Sequence, residues 1–366
     1  MSITSSGTVF IDRKAELKFL LGRLKQGQNV AVLAPRRFGK SALIAQVLNQ
    51  INTQKYLTCS IDLFATPTPE LLSTKLFAEV LRNLKLHKVF RQYLQEESSL
   101  TQFPEILSLA KEFPGLAEFS SPEKDEWKLL SESLEFPDAF ARQRGKQMIC
   151  VFEEMDCIRH MDQGARIAAL LKTKLESSSQ TSYIFTACHL SNIKQITGSG
   201  KSAILKEENI LYLDFINKQV LSDSLSKKFS RLKLKLPRNY LESLVSLTKG
   251  HPYYTQQAVR ELILSYVLDG NIPKQKELGE LLLRLEKDYL EKTWESISRN
   301  REYVQILLAL PSGSTNIYPR LMARGINVAR AQKKLEEMGI LLKNEPVGYS
   351  IADPLLELWI QKKLQP

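Results

Sequence analysis

The chain has 366 residues, 43% hydrophobic and 25% charged, long enough for two or three packed domains and too apolar for a disordered one. Lys and Arg number 51 against 40 Asp and Glu, and this net charge of +11 favours polyanionic partners such as nucleic acid without requiring one. Cys59, Cys150, Cys157 and Cys188 have no metal-ligand spacing and read as reduced core thiols. No run approaches the roughly 18 apolar residues of a membrane helix, so a cytoplasmic protein with no membrane contact is expected.

Residues 8–26 predict an extended start and then a helix with Leu17, Leu20, Leu21 and Leu24 on one face, with Asp12 placed to cap it. Next comes NVAVLAPRRFGKSALIAQV, Asn29 to Val47, in which a short apolar strand breaks into Gly-Lys-Ser and then into helical periodicity. That order is a phosphate loop. In that reading Gly39 would let the backbone approach a phosphate chain, Lys40 would reach the β- and γ-phosphates, the Ser41 hydroxyl would ligate Mg²⁺, and Arg37, Phe38 and Ala42 would complete the contact set around ATP. Ala34 stands where the full pattern has its first glycine, and Pro35 holds Ala34 extended.

A second strand is expected at Tyr56–Leu63, followed by a helix through Leu71, Leu76 and Leu81. Residues 86–144 are helical in pattern, broken by Pro104, Pro114, Pro122 and Pro137, and read as an insertion. The run Gln147–Ile158, QMICVFEEMDCI, is an apolar strand ending in paired carboxylates. Downstream of a phosphate loop, such a pair supplies an acid for Mg²⁺, here Glu153, and an acid that activates the attacking water, here Glu154. Without the loop, a strand running into a solvated acidic turn would be the better reading. Glu153 replaces the more usual Asp and carries its carboxylate outward by about one carbon–carbon bond.

A helix over Asp162–Glu176, a fourth strand at Ser182–Ala187 and a fifth at Ile210–Phe215 complete an alternation that implies a parallel sheet with ligands at the strands' carboxyl ends. Thr186 and His189 compete as polar sensors there, although a lone histidine after a strand is more often structural.

Beyond residue 215 the pattern turns helical. Lys227–Arg238 carries six basic residues and no acid, and Lys227, Lys228, Arg231, Lys233 and Lys235 form either a phosphate-contacting edge or a solvated basic face. Helices are expected at Asn239–Thr248 and from Pro252 to about Val267, with Pro252 in a first turn where its missing N–H costs nothing. From Ser298, helices at Glu302–Leu310, Asn316–Ala323 and Val328–Met338 and a strand pair, Ile340–Lys343 and Val347–Ile351, spell a winged helix. Its recognition helix would present Arg330, Lys333 and Lys334 outward and pack Ala331, Leu335 and Met338 inward, with Lys343 on the wing. Ten basic residues against six acidic from Ser298 onward leave open whether the module meets double-stranded DNA or docks on protein.

Taken together these segments resemble the predicted P-loop ATPases known mostly from archaea and some bacteria, near the AAA+ origin-recognition and STAND signalling proteins. The resemblance rests on Phe10-Ile11-Asp12-Arg13-Lys14-Ala15-Glu16-Leu17, on Pro35-Arg36-Arg37-Phe38-Gly39-Lys40-Ser41, on Gly250-His251-Pro252-Tyr253-Tyr254-Thr255-Gln256, and on the ending Tyr349-Ser350-Ile351-Ala352-Asp353-Pro354 with Trp359. It implies an α/β fold, an ASCE/AAA+-like P-loop parallel sheet with a helical lid and a C-terminal winged-helix domain. The corresponding limits are 1–215, 216–297 and 298–366. It also implies that Pro252 and His251 lie at the adenine, and that ATP-bound copies form a homo-oligomer. The departures, Asp12 for Gly, Ala34 for Gly, Glu153 for Asp and Ala187-Cys188 for Gly-Ser, fall in the catalytic machinery. Lys172 and Lys206 stand where relatives carry arginine, so no arginine finger is assignable. The resemblance therefore implies a nucleotide-dependent switch or assembly factor with slow or partner-stimulated hydrolysis. The alternative is a nucleotide-stabilised scaffold without chemistry whose winged helix docks a protein partner.

Overall fold

A computed structural model of the chain describes residues 13–96, 99–119, 125–198, 204–232, 234, 236–310, 321, 325–344 and 348–364. Two compact units emerge: Arg13–Ala34 with Lys40–Leu213, the sheet unit, and Pro35–Gly39 with Asp214–Pro366, the C-terminal unit. The Phe10–Asp12 part of the opening motif, with the expected Asp12 cap, lies outside the described residues, as does Pro122.

The sheet unit runs α1 (Lys14–Lys25), β1 (Val30–Leu33), α2 (Lys40–Asn49), β2 (Tyr56–Asp62), α3 (Pro69–Leu81), α4 (His87–Glu96), α5 (Pro104–Glu112), α6 (Gly115–Glu118), α7 (Glu126–Gln143), β3 (Gln147–Glu153), α8 (Gly164–Ser177), β4 (Thr181–Ala187), α9 (Leu190–Thr197) and β5 (Ile210–Tyr212). The five strands are all parallel, in the order β2-β3-β4-β1-β5. β1 and β4 are buried at every position, on both faces, rather than alternately. Ala31, Leu33, Cys59, Ile61, Cys150, Phe152, Tyr183 and Phe185 share one core with residues of α3, α4 and α7. Phe152 stacks on Phe185 at 6.4 Å and on Tyr183 at 6.2 Å within it. Cys59 and Cys150 are register neighbours, and both are free thiols.

Right-handed crossovers carry the connection leaving β1 and the one leaving β4 to opposite faces, because β2 lies to one side and β5 to the other. The resulting switch point, between the carboxyl ends of β1 and β4, is where open α/β sheets take ligands.

Two expectations need correction here. Pro104 and Pro114 do stand at helix starts, but Pro137 lies inside α7, which continues through it. A buried face of Leu129, Leu130, Leu134, Phe136 and Phe140 holds that helix together, so packing outweighs one lost hydrogen bond. The fifth strand spans three residues, not six, since pairing with β1 ends at Tyr212.

The C-terminal unit holds α10 (Lys218–Arg231), α11 (Arg238–Thr248), α12 (Pro252–Asp269), α13 (Gln275–Leu285), α14 (Lys287–Ser298), α15 (Arg301–Ala309), α16 (Val328–Glu337), an antiparallel hairpin β6 (Leu341–Asn344) and β7 (Gly348–Ile351), and α17 (Pro354–Leu364). One apolar core runs from Leu221 on α10 to Ile360 on α17. Helix, helix and hairpin are the parts of a winged helix; the helix expected at Asn316–Ala323 lies outside the described residues apart from the buried Leu321. Pro252 opens α12 as expected. Gly250, just before it, has φ +81°, and a Cβ there would lie 2.3 Å from the Ile216 carbonyl oxygen. The Ile216 N–H donates to the Gly250 carbonyl at 2.9 Å across that approach.

Met338, expected to pack inward, is 39% exposed. Gly339 ends α16 in a Schellman turn, with Gly339 N bonded to Glu336 O and Ile340 N to Leu335 O, so Met338 is the helix's cap residue, still helical in backbone, at its exposed end. Among the described residues no helix is long and apolar enough to cross a membrane.

Candidate functional site

β1 passes through Ala34 and the loop Pro35–Gly39 into α2, and two residues of that loop, Arg37 and Gly39, have left-handed backbones at φ +68° and +84°. Ala34 does not share that conformation, and its N–H continues the β1–β4 ladder to Ala187 O at 3.2 Å. A methyl group at this position therefore costs no backbone strain, so the missing first glycine leaves the turn intact.

In the sheet unit, Lys40 is 4% exposed and donates to Ala34 O at 2.9 Å; its Nζ lies 3.8 Å from Glu154 Oε1 and 3.9 Å from Cys188 Sγ. The Ser41 hydroxyl lies near enough to Glu153, the last residue of β3, to favour its charged form. Burial raises the Glu153 pKa, Asp62 and Glu154 add to the rise, and Ser41 and Lys40 oppose it. Hydroxyl and carboxylate oxygens brought together in this way are the donor set Mg²⁺ prefers, and a divalent ion would relieve the cost of the buried charge. Lys40 and Ser41 at the start of α2 and Glu153 and Glu154 at the end of β3 thus converge from two parts of the chain.

Glu154 has a left-handed backbone, φ +56°, and its N–H donates to Thr186 Oγ1 at 3.1 Å. Thr186 is fully buried on β4, so it orients Glu154 from behind. His189 is half-buried before α9 and makes no side-chain cap bond there. A residue missed from sequence, Asp156, ties β3's exit to β4's: it accepts the Cys188 N–H at 2.6 Å and the Asn192 side-chain amide.

In the C-terminal unit, Arg37 donates to Glu286 Oε2 at 2.6 Å, and its guanidinium lies 3.9 Å from the Tyr289 ring centroid and 4.6 Å from that of Tyr253. Burial works against the Arg37 charge, yet the Glu286 bond and charge overcome it and raise the pKa. The loop's guanidinium is thereby committed to protein partners. Phe38 is buried against Phe215 at 5.1 Å and His251 at 4.7 Å, and His251, 2% exposed, also meets Tyr254 at 4.5 Å. His251 is enclosed by rings, whereas Pro252 is half-buried, with its Cβ 3.9 Å from where a Cβ on Gly39 would lie. Ala42 is half-buried on the first turn of α2.

Of the basic candidates, Arg330, Lys333, Lys334 and Lys343 are exposed on α16 and β6, with Lys334 paired to Glu337 at 3.0 Å. Lys227, Lys228 and Arg231 lie on the last turns of α10; burial lowers the Lys228 pKa, while Lys227 and Arg231 are exposed. Lys233 and Lys235 lie outside the described residues.

Sequence reasoning did not find α13, α14 or α17, and so missed Glu286, Tyr289 and the capping role of Asp353. No local signal marks the first two. Asp353-Pro354 before an apolar run does mark a helix start, and Asp353 Oδ1 accepts the N–H groups of Leu355 and Leu356 at 2.9 and 3.0 Å.

The chain aligns end to end with a Walker-type ATPase of Pyrococcus abyssi, with a TM-score of 0.68 at 19% identity over 98% of this chain and 97% of that one. Aeropyrum pernix ORC2, solved in ADPNP–ADP complexes, gives 0.59 at 11% identity over 96% and 94%. Aeropyrum pernix ORC1, solved in complex with DNA, gives 0.53 at 13% identity over 97% and 93%. This is the P-loop ATPase fold of the archaeal origin-recognition proteins. No protein-family model and no curated protein sequence matches the chain.

Proposed function

We propose that the chain is an AAA+-type ATPase that binds ATP with Mg²⁺ on the Arg37–Ala42 loop and acts as a nucleotide-dependent switch or assembly factor on DNA. The observation that carries the reading is the meeting of Ser41 with Glu153 and of Lys40 with Glu154 beside a parallel-sheet switch point. In it Ser41 and Glu153 hold the metal, Lys40 neutralises the β- and γ-phosphates, and Glu154 orients the attacking water. The core, lid and winged domain span 1–215, 216–297 and 298–366. The ORC2 nucleotide complexes and the ORC1–DNA complex, in proteins of the same fold, support nucleotide and DNA as the partners.

Hydrolysis by the isolated chain is slow, because no arginine finger is assignable, and ATP-bound copies associate to stimulate it. Titration calorimetry on Lys40→Ala tests the assignment: binding is lost, and unchanged affinity would refute it. Glu154→Gln retains binding and loses phosphate release. An unchanged release rate would leave the scaffold reading in place. Exposure of Met338 and the Lys334–Glu337 pair favour, as the second reading, a winged helix that docks protein rather than DNA.

A further inference from the structure

Arg37 is a non-glycine residue held at φ +68°, a left-handed conformation that needs compensating contacts. Those contacts are specific. Glu286 is buried, and its two carboxylate oxygens are divided, Oε2 taking the Arg37 guanidinium at 2.6 Å and Oε1 the Tyr253 hydroxyl at 2.7 Å. The next residue along α12, Tyr254, is fully buried and donates its hydroxyl to Asp353 Oδ2 at 2.6 Å. The other Asp353 oxygen caps α17, the helix that follows the wing. A second line runs beside the first: Phe38 packs on His251, and His251 on Tyr254. Two adjacent loop residues therefore end on two adjacent tyrosines, and one of those holds the start of the last helix.

We propose that Arg37 reports the nucleotide state of the phosphate loop to the winged module through Glu286, Tyr253, Tyr254 and Asp353. The proposal rests on the ATP-switch reading above. A phosphate chain arriving at the loop offers the guanidinium a second anionic acceptor that competes with Glu286 for the same planar fork. When Arg37 leaves, Glu286 loses its cation, Tyr253 loses the cation over its ring face, and the Tyr254–Asp353 bond and α17 reseat. A shift of this kind is driven only by the difference in the ligand's affinity for the two arrangements, which one charge-assisted bond exchanged for another supplies.

The protein carries its own reporter, since Trp359 on α17 meets Trp294 on α14 at 5.5 Å between ring centroids. The parent for the experiment is Trp127→Phe, which leaves those two indoles as the only ones. Calorimetry gives Mg-ATP affinity and indole emission gives the response of the winged module. In the parent, emission changes with the same midpoint as binding. Tyr254→Phe keeps affinity within about 3-fold, Glu286→Gln binds at least as tightly because the competing acceptor is neutralised, and both lose at least half of the emission change. Tyr240→Phe, which deletes a different lid hydroxyl bonded to Pro273 O at 2.6 Å, keeps the full change. If circular dichroism shows that one variant is unfolded, Asp353→Asn, which retains the capping oxygen, takes its place. A full emission change in the folded relay variants, or binding by the parent with no emission change, overturns the relay alone. Absence of Mg-ATP binding in the parent overturns the nucleotide reading, and the relay with it.

Discussion

Thr186 on β4 accepts the backbone N–H of Glu154 at 3.1 Å, so the residue that holds the attacking water in the proposed site is oriented by a hydroxyl from the neighbouring strand. Thr186→Val keeps the shape and deletes the acceptor. The unmet N–H should cost about 1–3 kcal/mol in urea unfolding. Phosphate release should fall more than ATP affinity, because Thr186 acts on Glu154 and not on the loop. Thr186→Ser should restore both, and equal stability of the Val and Ser variants would refute the role.

Asp353 supplies a pH dependence of known sign. Burial raises its pKa, opposed by the Tyr254 hydroxyl and the Leu355 and Leu356 N–H groups. Above the ordinary value of 3.8, the folded state holds a proton that the unfolded chain has released, so this group's contribution to stability is full below 3.8 and declines as pH rises through the folded pKa. The difference between wild type and Asp353→Asn, followed by urea unfolding upward from about pH 3.5, just below the ordinary aspartate value, should show that decline in the wild type only. Parallel curves would contradict it.

Gly250 combines φ +81° with a backbone oxygen 2.3 Å from where a Cβ would lie. Gly250→Ala must strain the backbone and displace Ile216, and a loss of at least about 2 kcal/mol is expected. Gly339→Ala, at φ +71° with nothing within 4 Å of its Cβ, should cost less, about 1 kcal/mol. Equal losses would show that the close approach to Ile216 is not what demands glycine.

Charge reversal separates the two candidate basic surfaces. If α16 enters a DNA groove, changing Arg330, Lys333 and Lys334 to Glu should reduce the log–log salt slope of duplex binding by about 0.9 for each phosphate no longer neutralised. If the end of α10 tracks the backbone, reversing Lys227 and Arg231 should reduce it instead. A winged module that docks protein leaves the slope unchanged in both, as measured by fluorescence anisotropy between 50 and 200 mM salt, roughly the range over which such ionic interactions are resolved.

Local chemistry made the phosphate loop, the acid-tipped strand, Pro252 at a helix start and the wing legible from sequence. Val30–Leu33 before Gly39-Lys40-Ser41, and Met148–Phe152 before Glu153-Glu154, are short-range patterns whose meaning does not depend on distant residues. The same locality explains the errors. Pro137 looks like a helix breaker until its neighbours are seen buried in the core, and Met338 fits an apolar stripe but stands exposed at the capped end of its helix. Tertiary structure alone decided that Arg37, read from sequence as a phosphate-loop contact, is held by Glu286, 249 residues away, and that Tyr254 reaches Asp353 across 99. A carboxylate such as Glu286 becomes the partner of one particular cation when burial removes water as its alternative, and that burial is set by tertiary packing, which no window of sequence contains.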